Sequence, residues 1–186
     1  EKHQNKAYAI MESELKLGRQ AFVVCPLIDE SEVMDLKAAV TVFESIQKRF
    51  PEFNTCLIHG KLKKEERQEI MSRFLSKKIQ ILVSTTVIEV GIDIPNATVM
   101  IIEHAERFGL AQLHQLRGRV GRGEHASYCL LLADSASPDA RERLQSMEAT
   151  QDGFALAELD LRSRGPGDMF GTRQSGLPDL RMASLS

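Results

Sequence analysis

Short apolar runs alternate along the chain with longer segments that are apolar on one side only. The runs are rich in Val, Ile and Leu, and they predict β-strands at Ala21–Cys25, Asn54–Ile58, Ile79–Ser84, Thr98–Glu103 and Ser127–Ala133. Several are apolar at consecutive positions, which is typical of parallel strands that helices cover on both faces. The segments between them have helical spacing and predict helices over 2–18, 31–50, 63–75, 110–120 and 138–150. This order of elements predicts an α/β fold with a mostly parallel sheet.

The pattern changes near Gln151. One further helix is predicted over 154–163, and the sequence after it, RGPGDMFGTRQSGLPDL, is rich in glycine and interrupted by proline. Such a segment does not extend a sheet. We therefore expect one domain at 1–150 and an extension at 151–186 that consists of a helix and glycine-rich loops.

Composition and charge narrow the possible partners. The 186 residues carry a formal net charge of −2, whereas a domain that coats nucleic acid would be strongly basic. Contacts with nucleic acid must then come from local clusters. No apolar run approaches the roughly 20 residues that span a bilayer, and the opening residues do not resemble a signal peptide. Because the chain begins with Glu rather than Met, we expect a piece of a larger cytoplasmic protein without membrane contact.

The cysteines and histidines give no sign of a metal site. Cys25, Cys56 and Cys129 each lie in a predicted strand and have no CxxC spacing. Their positions indicate reduced thiols in the core. The histidines lack the spacing of zinc ligands, so the sequence predicts no metal ligands in this chain.

The strongest local signal is a run of arginine and glycine, QLRGRVGRG, at residues 115–123. Arg119 and Arg122 are three residues apart, so on a helical turn they would share one face. Gly118 and Gly121 are also three residues apart. Because glycine has no side chain, they would leave a strip beside the two arginines that another surface could contact. Guanidinium groups are suited to phosphate and stabilise charge in phosphoryl transfer. A solvated basic turn, or a general anion site, explains the same residues about equally well.

Polar residues also follow the predicted strand at 79–84. Ser84, Thr85 and Thr86 offer hydroxyl groups where ligands bind in open α/β sheets, and hydroxyl groups suit phosphate contacts. Gly91 permits close approach of the backbone. Asp93 lies between apolar residues before a proline, where a simple turn is the alternative interpretation.

A second polar group follows the predicted strand at 54–58. His59, Gly60 and Lys61 directly precede a predicted helix. The start of a helix favours anions, so these residues could hold a phosphate there.

Four segments resemble motifs of superfamily 2 helicases, in the order and at the separations found in that family. QLRGRVGR resembles the sixth motif, Q-x-x-G-R-x-G-R, and LVSTTVIEVGIDIPNA resembles the fifth. AFVVCPLIDESE and LIHGKLKKEERQEIM resemble the segments that open the second RecA-like domain. The resemblance covers residues 20–133 and implies a RecA-like helicase C-terminal domain of the P-loop NTPase type, with helices on both faces of the sheet.

The end of the chain resembles a narrower family. DLRSRGPGDMFGTRQSG is similar to the translocation motif shared by the RecG family and the transcription-repair coupling factor. The order R-G-P-G-D followed by G-T-R-Q-S-G fits the RecG family better. The resemblance implies that Arg164, Arg173 and Gln174 couple ATP turnover to movement on duplex DNA. A disordered C-terminus is the alternative.

The resemblance also implies roles for the other polar residues. Arg119 and Arg122 would be arginine fingers, with Gln115 near the γ-phosphate or orienting the strip. Gly91 and Asp93 would contact the nucleotide sugar or link to that strip. The hydroxyl residues at 84–86 would contact the DNA backbone.

The sequence lacks the motif that this chain would need to bind a nucleotide by itself. A P-loop needs G-x-x-x-x-G-K-[ST], and Gly60-Lys61 is followed by Leu62. The resemblance implies that ATP and Mg²⁺ are held mainly by a first motor domain, which would adjoin a DNA-binding wedge domain. It implies a monomeric, nucleoid-associated helicase that acts on branched or double-stranded DNA such as stalled forks and Holliday junctions. We expect the chain to be inactive by itself.

Three other interpretations compete with this one. The chain could be the equivalent domain of a transcription-repair coupling factor. It could be a binding module that kept the helicase-like shape without the reaction. It could be an unrelated doubly wound domain with a small ligand, which would leave Arg119 and Arg122 unexplained.

Overall fold

A computed structural model describes residues 2–26, 32–85, 94–134 and 137–150, together with Asp152, Gly153 and Leu156. These residues form a parallel five-stranded sheet in the order β2-β3-β1-β4-β5. The strands are β1 Gln20–Cys25, β2 Thr55–Ile58, β3 Ile81–Thr85, β4 Ala97–Ile102 and β5 Tyr128–Leu131. The helices are α1 Lys2–Lys16, α2 Glu32–Arg49, α3 Lys64–Leu75, α4 Leu110–Arg117 and α5 Pro138–Ala149, with a short 3₁₀ helix at Ala105–Arg107.

Helices cover both faces of the sheet, as the consecutive apolar positions predicted. All residues of β1, β3 and β4 are buried, which parallel strands require when crossover helices pack on both sides. On one face, Phe22 and Met100 pack with residues of α3, α4 and α5. On the other face, Val23 and Ile101 pack with residues of α1 and α2. The predicted α/β fold is therefore confirmed.

Predicted and observed boundaries differ by a few residues. The first helix ends at Lys16, and Gly18 turns the chain with a φ of +78°, a conformation that glycine adopts without strain. The largest difference that affects the candidate site is at α4. That helix was predicted to reach Val120 but ends at Arg117.

The three cysteines lie in strands, as predicted, and are free thiols. Burial raises the pKa of Cys25 to about 12 and that of Cys129 to about 11. Both thiols are thus protonated at neutral pH. No helix in the described ranges is long and apolar enough to cross a bilayer.

The parallel sheet has two chemically different edges. We call the edge where the strands begin the amino edge, and the edge where they end, at Cys25, Ile58, Thr85, Ile102 and Leu131, the carboxyl edge. Because each crossover helix returns the chain from the carboxyl edge to the amino edge, residues between two strands divide between the edges.

Candidate functional site

The candidate residues fall on opposite edges of the sheet. The chain leaves β4 at the carboxyl edge, where the Ala105 amide donates a hydrogen bond of 2.7 Å to the Leu132 carbonyl just after β5. Helix α4 then returns to the amino edge, since β5 begins there and runs parallel to β4. Residues 118–123, which we call the arginine strip, therefore lie at the amino edge. Ser84 and Thr85 end β3 at the carboxyl edge.

The arginine strip contacts the segment that leads into β4. A Cβ atom added to Gly123 would lie 2.6 Å from the Pro95 carbonyl oxygen, so only glycine allows the two backbones to approach this closely. Pro95 follows Gly91 and Asp93 by a few residues. Gly91 and Asp93 themselves lie outside the described residues, and so do Thr86, Arg164, Arg173 and Gln174.

The arginine strip is a turn, and the prediction that its arginines share a helical face is wrong. After α4 the Arg119 amide bonds to the Leu116 carbonyl at 2.9 Å, and the Val120 amide bonds to the Arg117 carbonyl at 3.3 Å. Val120 is buried and joins the core formed by α3, α4 and α5. Gly121 then has a φ of +79°, which ends any helix. The buried side chain of Val120 holds the turn against the core, and the left-handed conformation of Gly121 reverses the direction of the chain.

This turn presents guanidinium groups at the surface. Arg122 is exposed, and its Nε donates a 2.8 Å hydrogen bond to the Gly118 carbonyl. That bond folds the side chain back over the turn. Arg119 is half-buried, and the described residues offer its side chain no hydrogen-bond or ion-pair partner. Gln115 is exposed one turn earlier on α4.

The hydroxyl groups at the carboxyl edge are enclosed. Ser84 and Thr85 lie inside β3 and are 0% and 3% exposed. Their oxygens, Oγ and Oγ1, have no hydrogen-bond partner within the described part of the chain. An unpaired buried polar group is costly, so these hydroxyls are candidates for binding a group from outside. The sequence pattern had suggested more open positions at the end of the strand.

His59, Gly60 and Lys61 form a turn between β2 and α3, closed by a 3.2 Å bond from the Leu62 amide to the His59 carbonyl. Burial lowers the pKa of His59, with a smaller contribution from Lys61, and this favours the neutral imidazole. The carboxylate of Glu66 accepts a 2.9 Å hydrogen bond from the Lys63 amide. That carboxylate partly offsets the attraction of the helix start for a phosphate.

The carboxyl edge beyond β4 carries acidic side chains, in contrast to the turn between β2 and α3. Glu103 is buried and accepts a 3.0 Å hydrogen bond from the Tyr8 hydroxyl. Burial raises the pKa of Glu103. His104 Nδ1 lies 3.5 Å from Glu106 and 3.4 Å from Asp134. Carboxylates thus border β4 and β5, and a phosphate is better accommodated near β2 and β3.

A polar link that the sequence did not reveal joins α4 to α5. Arg117 Nη1 donates to the carbonyl oxygens of Met147 at 2.9 Å and Thr150 at 2.7 Å. Its Nη2 donates to His114 Nδ1 at 3.1 Å. The only sequence signal is a basic residue in the last turn of a helix, which does not identify its partner.

Within the described ranges, no group of three or more His, Cys, Asp or Glu side chains is arranged to hold a metal ion. The side chains of Arg119 and Arg122 at the amino edge are instead cationic. They fit a phosphate and not a magnesium ion, because Mg²⁺ prefers oxygen ligands.

The chain belongs to the family of helicase conserved C-terminal domains, whose model matches residues 4–124. Its sequence is of the RecG type within that class, since the model for "ATP-dependent DNA helicase RecG, domain 3, C-terminal" matches residues 150–186. The ATP-dependent DNA helicase RecG of Synechocystis sp. is 57% identical over 185 residues, which are 99% of this chain and 22% of that protein. The protein of that name from Bacillus subtilis is 51% identical over 182 residues, 97% of this chain and 27% of its own length. The chain thus spans about a quarter of the length of these relatives.

Solved structures agree with this assignment. A structure of RecG bound to a three-way DNA junction is 47% identical, with a TM-score of 0.76, and the match covers 90% of this chain and 22% of that chain. The C-terminal domain of the DEAD-box protein Dbp5 is 17% identical, with a TM-score of 0.55 over 78% of each chain. The second likeness concerns the fold alone.

Proposed function

We propose that this chain is the second motor domain of an ATP-dependent DNA helicase that remodels branched DNA. The observation that carries the proposal is the arginine strip, presented at the amino edge of a domain whose relatives are RecG helicases. The RecG structure bound to a three-way junction supports branched DNA as the substrate. Stalled forks and Holliday junctions are DNA of this kind.

In this proposal Arg119 and Arg122 act as arginine fingers on a nucleotide bound mainly by the first motor domain. ATP would supply the γ-phosphoryl group that is transferred to water with release of ADP, and Mg²⁺ would neutralise charge on the phosphates. Arg119 has no partner among the described residues and can turn toward a phosphate oxygen. Gln115, one turn earlier, would orient the strip. Gly91 and Asp93 would contact the nucleotide sugar or the strip.

The carboxyl edge would contact the DNA backbone. The unpartnered hydroxyls of Ser84 and Thr85 support this assignment, because a hydroxyl donates readily to a phosphate oxygen. Since both are buried, the DNA would have to approach the end of β3 closely, or the neighbouring residues would have to shift. Thr86, His59, Gly60 and Lys61 would extend the same contact.

The extension would convert nucleotide turnover into movement. Arg164, Arg173 and Gln174 are assigned this role from their translocation motif. The complete helicase would act as a monomer. The partners of this chain would be the wedge domain and the first motor domain of the same protein. The chain alone lacks a P-loop and would not hydrolyse ATP.

Arg122→Ala in the complete helicase tests the proposal. We expect DNA-stimulated ATP turnover to fall by about 10³-fold or more, the range known for arginine fingers, while affinity for forked DNA is retained. Arg107→Ala is a matched control, because Arg107 is an exposed arginine that ends the 3₁₀ helix before α4. Unchanged turnover in Arg122→Ala would remove the assignment.

A further inference from the structure

The outer edge of β5 carries backbone groups that the sheet leaves unpaired. β5 stands at the end of the strand order. The Leu132 amide donates to the Ile102 carbonyl at 2.9 Å, and the Leu132 carbonyl accepts from the Ala105 amide at 2.7 Å, so both groups of Leu132 face β4. Because backbone groups point to alternate sides along a strand, those of Cys129 and Leu131 face away from the sheet. No backbone hydrogen bond reaches them within the described ranges.

β5 also lacks the features that protect an exposed edge strand. Natural edge strands commonly carry a lysine, a proline or a bulge, which prevents a further strand from adding. The sequence of β5, Tyr-Cys-Leu-Leu, has no lysine or proline, and its pairing with β4 keeps one register throughout. Cys129 and Leu131 therefore offer two donors and two acceptors to an added strand.

A groove lies along this edge, between α1 and α5, with a volume of about 490 Å³. Ala7 and Ile10 of α1 line one wall, and Leu144 and Met147 of α5 line the other. The side chains of an added strand would point alternately to the two walls. Both walls are apolar at these positions, so they would accept small or apolar side chains.

The rim of the groove is mainly cationic. Lys6 of α1 and Arg141 of α5 are exposed there, and Arg117 is half-buried beside them. Glu148 is the one acidic residue among the described residues that line the groove. The surplus of positive charge attracts acidic side chains. The groove thus fits an extended segment that has small or apolar residues in its middle and acidic residues beside them.

The small size of the edge favours a segment that is tethered in the same polypeptide. Each backbone hydrogen bond strengthens association by about tenfold or less, so two donors and two acceptors contribute about 10⁴-fold at most. A separate molecule loses translational and rotational freedom on binding, which opposes association by about 10³-fold or more. A tethered segment avoids most of this loss, because its effective concentration reaches about millimolar. This chain spans 22% and 27% of the length of two relatives, which leaves ample length for such a segment.

We propose that the outer edge of β5 binds an extended acidic segment from another part of the complete helicase, which adds to the sheet beside β5. Main-chain hydrogen bonds to Cys129 and Leu131 hold the segment, and Lys6 and Arg141 select its charge. The segment joins this domain to a second part of the same polypeptide. The proposal does not depend on the arginine fingers, and it stands if Arg122→Ala keeps its turnover.

Photochemical crosslinking of the complete helicase tests the proposal. Gln145 is an exposed residue of the groove, and Gln145→benzoylphenylalanine places a photoreactive group there. Mass spectrometry should find a crosslink within one polypeptide, to an acidic segment outside the residues of this chain. Gln68→benzoylphenylalanine is the control, because Gln68 is exposed on α3 and does not line the groove. It should not crosslink to that segment.

Every other result at Gln145 would overturn the proposal. A crosslink between two copies, which a mixture of isotope-labelled and unlabelled protein reveals, would make the edge a contact between copies. A crosslink confined to the residues of this chain, or to a segment without acidic residues, would contradict the proposed source and charge. The absence of any crosslink would leave the groove without an occupant.

Charge reversal provides a second readout on the complete helicase. Lys6→Glu combined with Arg141→Glu alters two exposed positions, where substitutions usually leave the fold intact. Hydrogen exchange at the amides of Cys129 and Leu131 should be slow in the wild type and about tenfold faster or more in the double variant. An exposed ion pair is worth up to about fivefold, and each reversal replaces attraction by repulsion. Arg107→Glu lies outside the groove and should leave both amides unchanged.

The amides of Leu130 and Leu132 show whether β5 itself remains paired. They face β4, as the bond from the Leu132 amide to the Ile102 carbonyl indicates, and their exchange should stay slow in both proteins. Fast exchange at Cys129 and Leu131 in the wild type would overturn the proposal. Equal exchange at these two amides in the wild type and the double variant would do so as well.

Discussion

The two edges of the sheet present polar groups in opposite ways. At the carboxyl edge, Ser84 and Thr85 are held inside β3 with oxygens that lack partners among the described residues. At the amino edge, Arg119 and Arg122 extend from a turn that only Val120 anchors in the core. A strand fixes a short side chain rigidly at the expense of access, whereas a turn gives access to a long side chain that must be steadied by other contacts. We expect substitutions at the amino edge to disturb the geometry of the arginines, and substitutions of the unpartnered hydroxyls at the carboxyl edge to change DNA affinity with little loss of stability.

Among substitutions that leave both arginines in place, the largest effect should come from Gly121→Val in the arginine strip. Gly121 has a φ of +79°, and an added Cβ would lie 2.4 Å from Ser127 Oγ. A branched residue in this conformation costs about 1–3 kcal/mol, and the strip would have to rearrange. We expect ATP turnover of the complete helicase to fall by at least about tenfold, with a lower melting temperature.

Gly118→Ala is the control for folding at the same turn. Its added Cβ would lie at an ordinary 3.5 Å from the Gln115 carbonyl, in an unstrained conformation. The melting temperature of Gly118→Ala should therefore match the wild type. If Gly121→Val also matches the wild type in turnover and melting temperature, the turn is not the element that positions the arginines.

A smaller effect is expected for Thr85→Val, which should lower the affinity for DNA without lowering stability. The hydroxyl of Thr85 is buried without a partner in the described residues, so an apolar group of the same shape should leave stability unchanged or raise it by up to about 1 kcal/mol. Affinity for forked DNA should fall about fivefold if the hydroxyl donates to a phosphate. Thermal unfolding and a DNA-binding titration measure the two quantities.

Thr98→Val is the matched control, because Thr98 is equally buried but donates a 2.7 Å hydrogen bond to Glu14. Here stability should fall by roughly 1–3 kcal/mol, since a charged acceptor loses its donor, and DNA affinity should not change. A stability loss in Thr85→Val with unchanged DNA affinity would make that hydroxyl structural.

The smallest effect is expected for Glu66→Gln at the start of α3. Glutamine can still accept a hydrogen bond from the Lys63 amide, so stability should change by only a few tenths of a kcal/mol. Loss of the negative charge should strengthen DNA binding about twofold if a phosphate lies near His59 and Lys61. A titration at low salt would detect this change, and unchanged or weaker binding would place the DNA elsewhere.

The sequence predicted the fold well because the apolar runs have few alternatives. Strands such as Gln20–Cys25 and Ala97–Ile102 are apolar at five of six positions, which only a sheet buried on both faces accommodates. The arginine strip was predicted less accurately. Helical spacing continues from Leu110 through Val120, and the end of α4 depends on tertiary packing of Val120 and the left-handed conformation of Gly121.

The division of the site between two edges was not predicted either. It follows from the path of α4 back across the sheet and from the contact between Gly123 and Pro95. Neither of these is encoded in the local pattern. The link formed by Arg117 has the same origin, because its acceptors at Met147 and Thr150 lie some thirty residues further along the chain.

The most direct test of the account is the trapping of a transition-state analogue by the complete helicase. In the presence of forked DNA, the wild type should form a long-lived complex with ADP and aluminium fluoride. Arg119→Ala and Arg122→Ala should fail to form it, while their affinity for ADP should change by less than about tenfold, since arginine fingers act chiefly on the transition state. Trapping at the wild-type level by both variants would contradict the claim that this chain supplies the fingers.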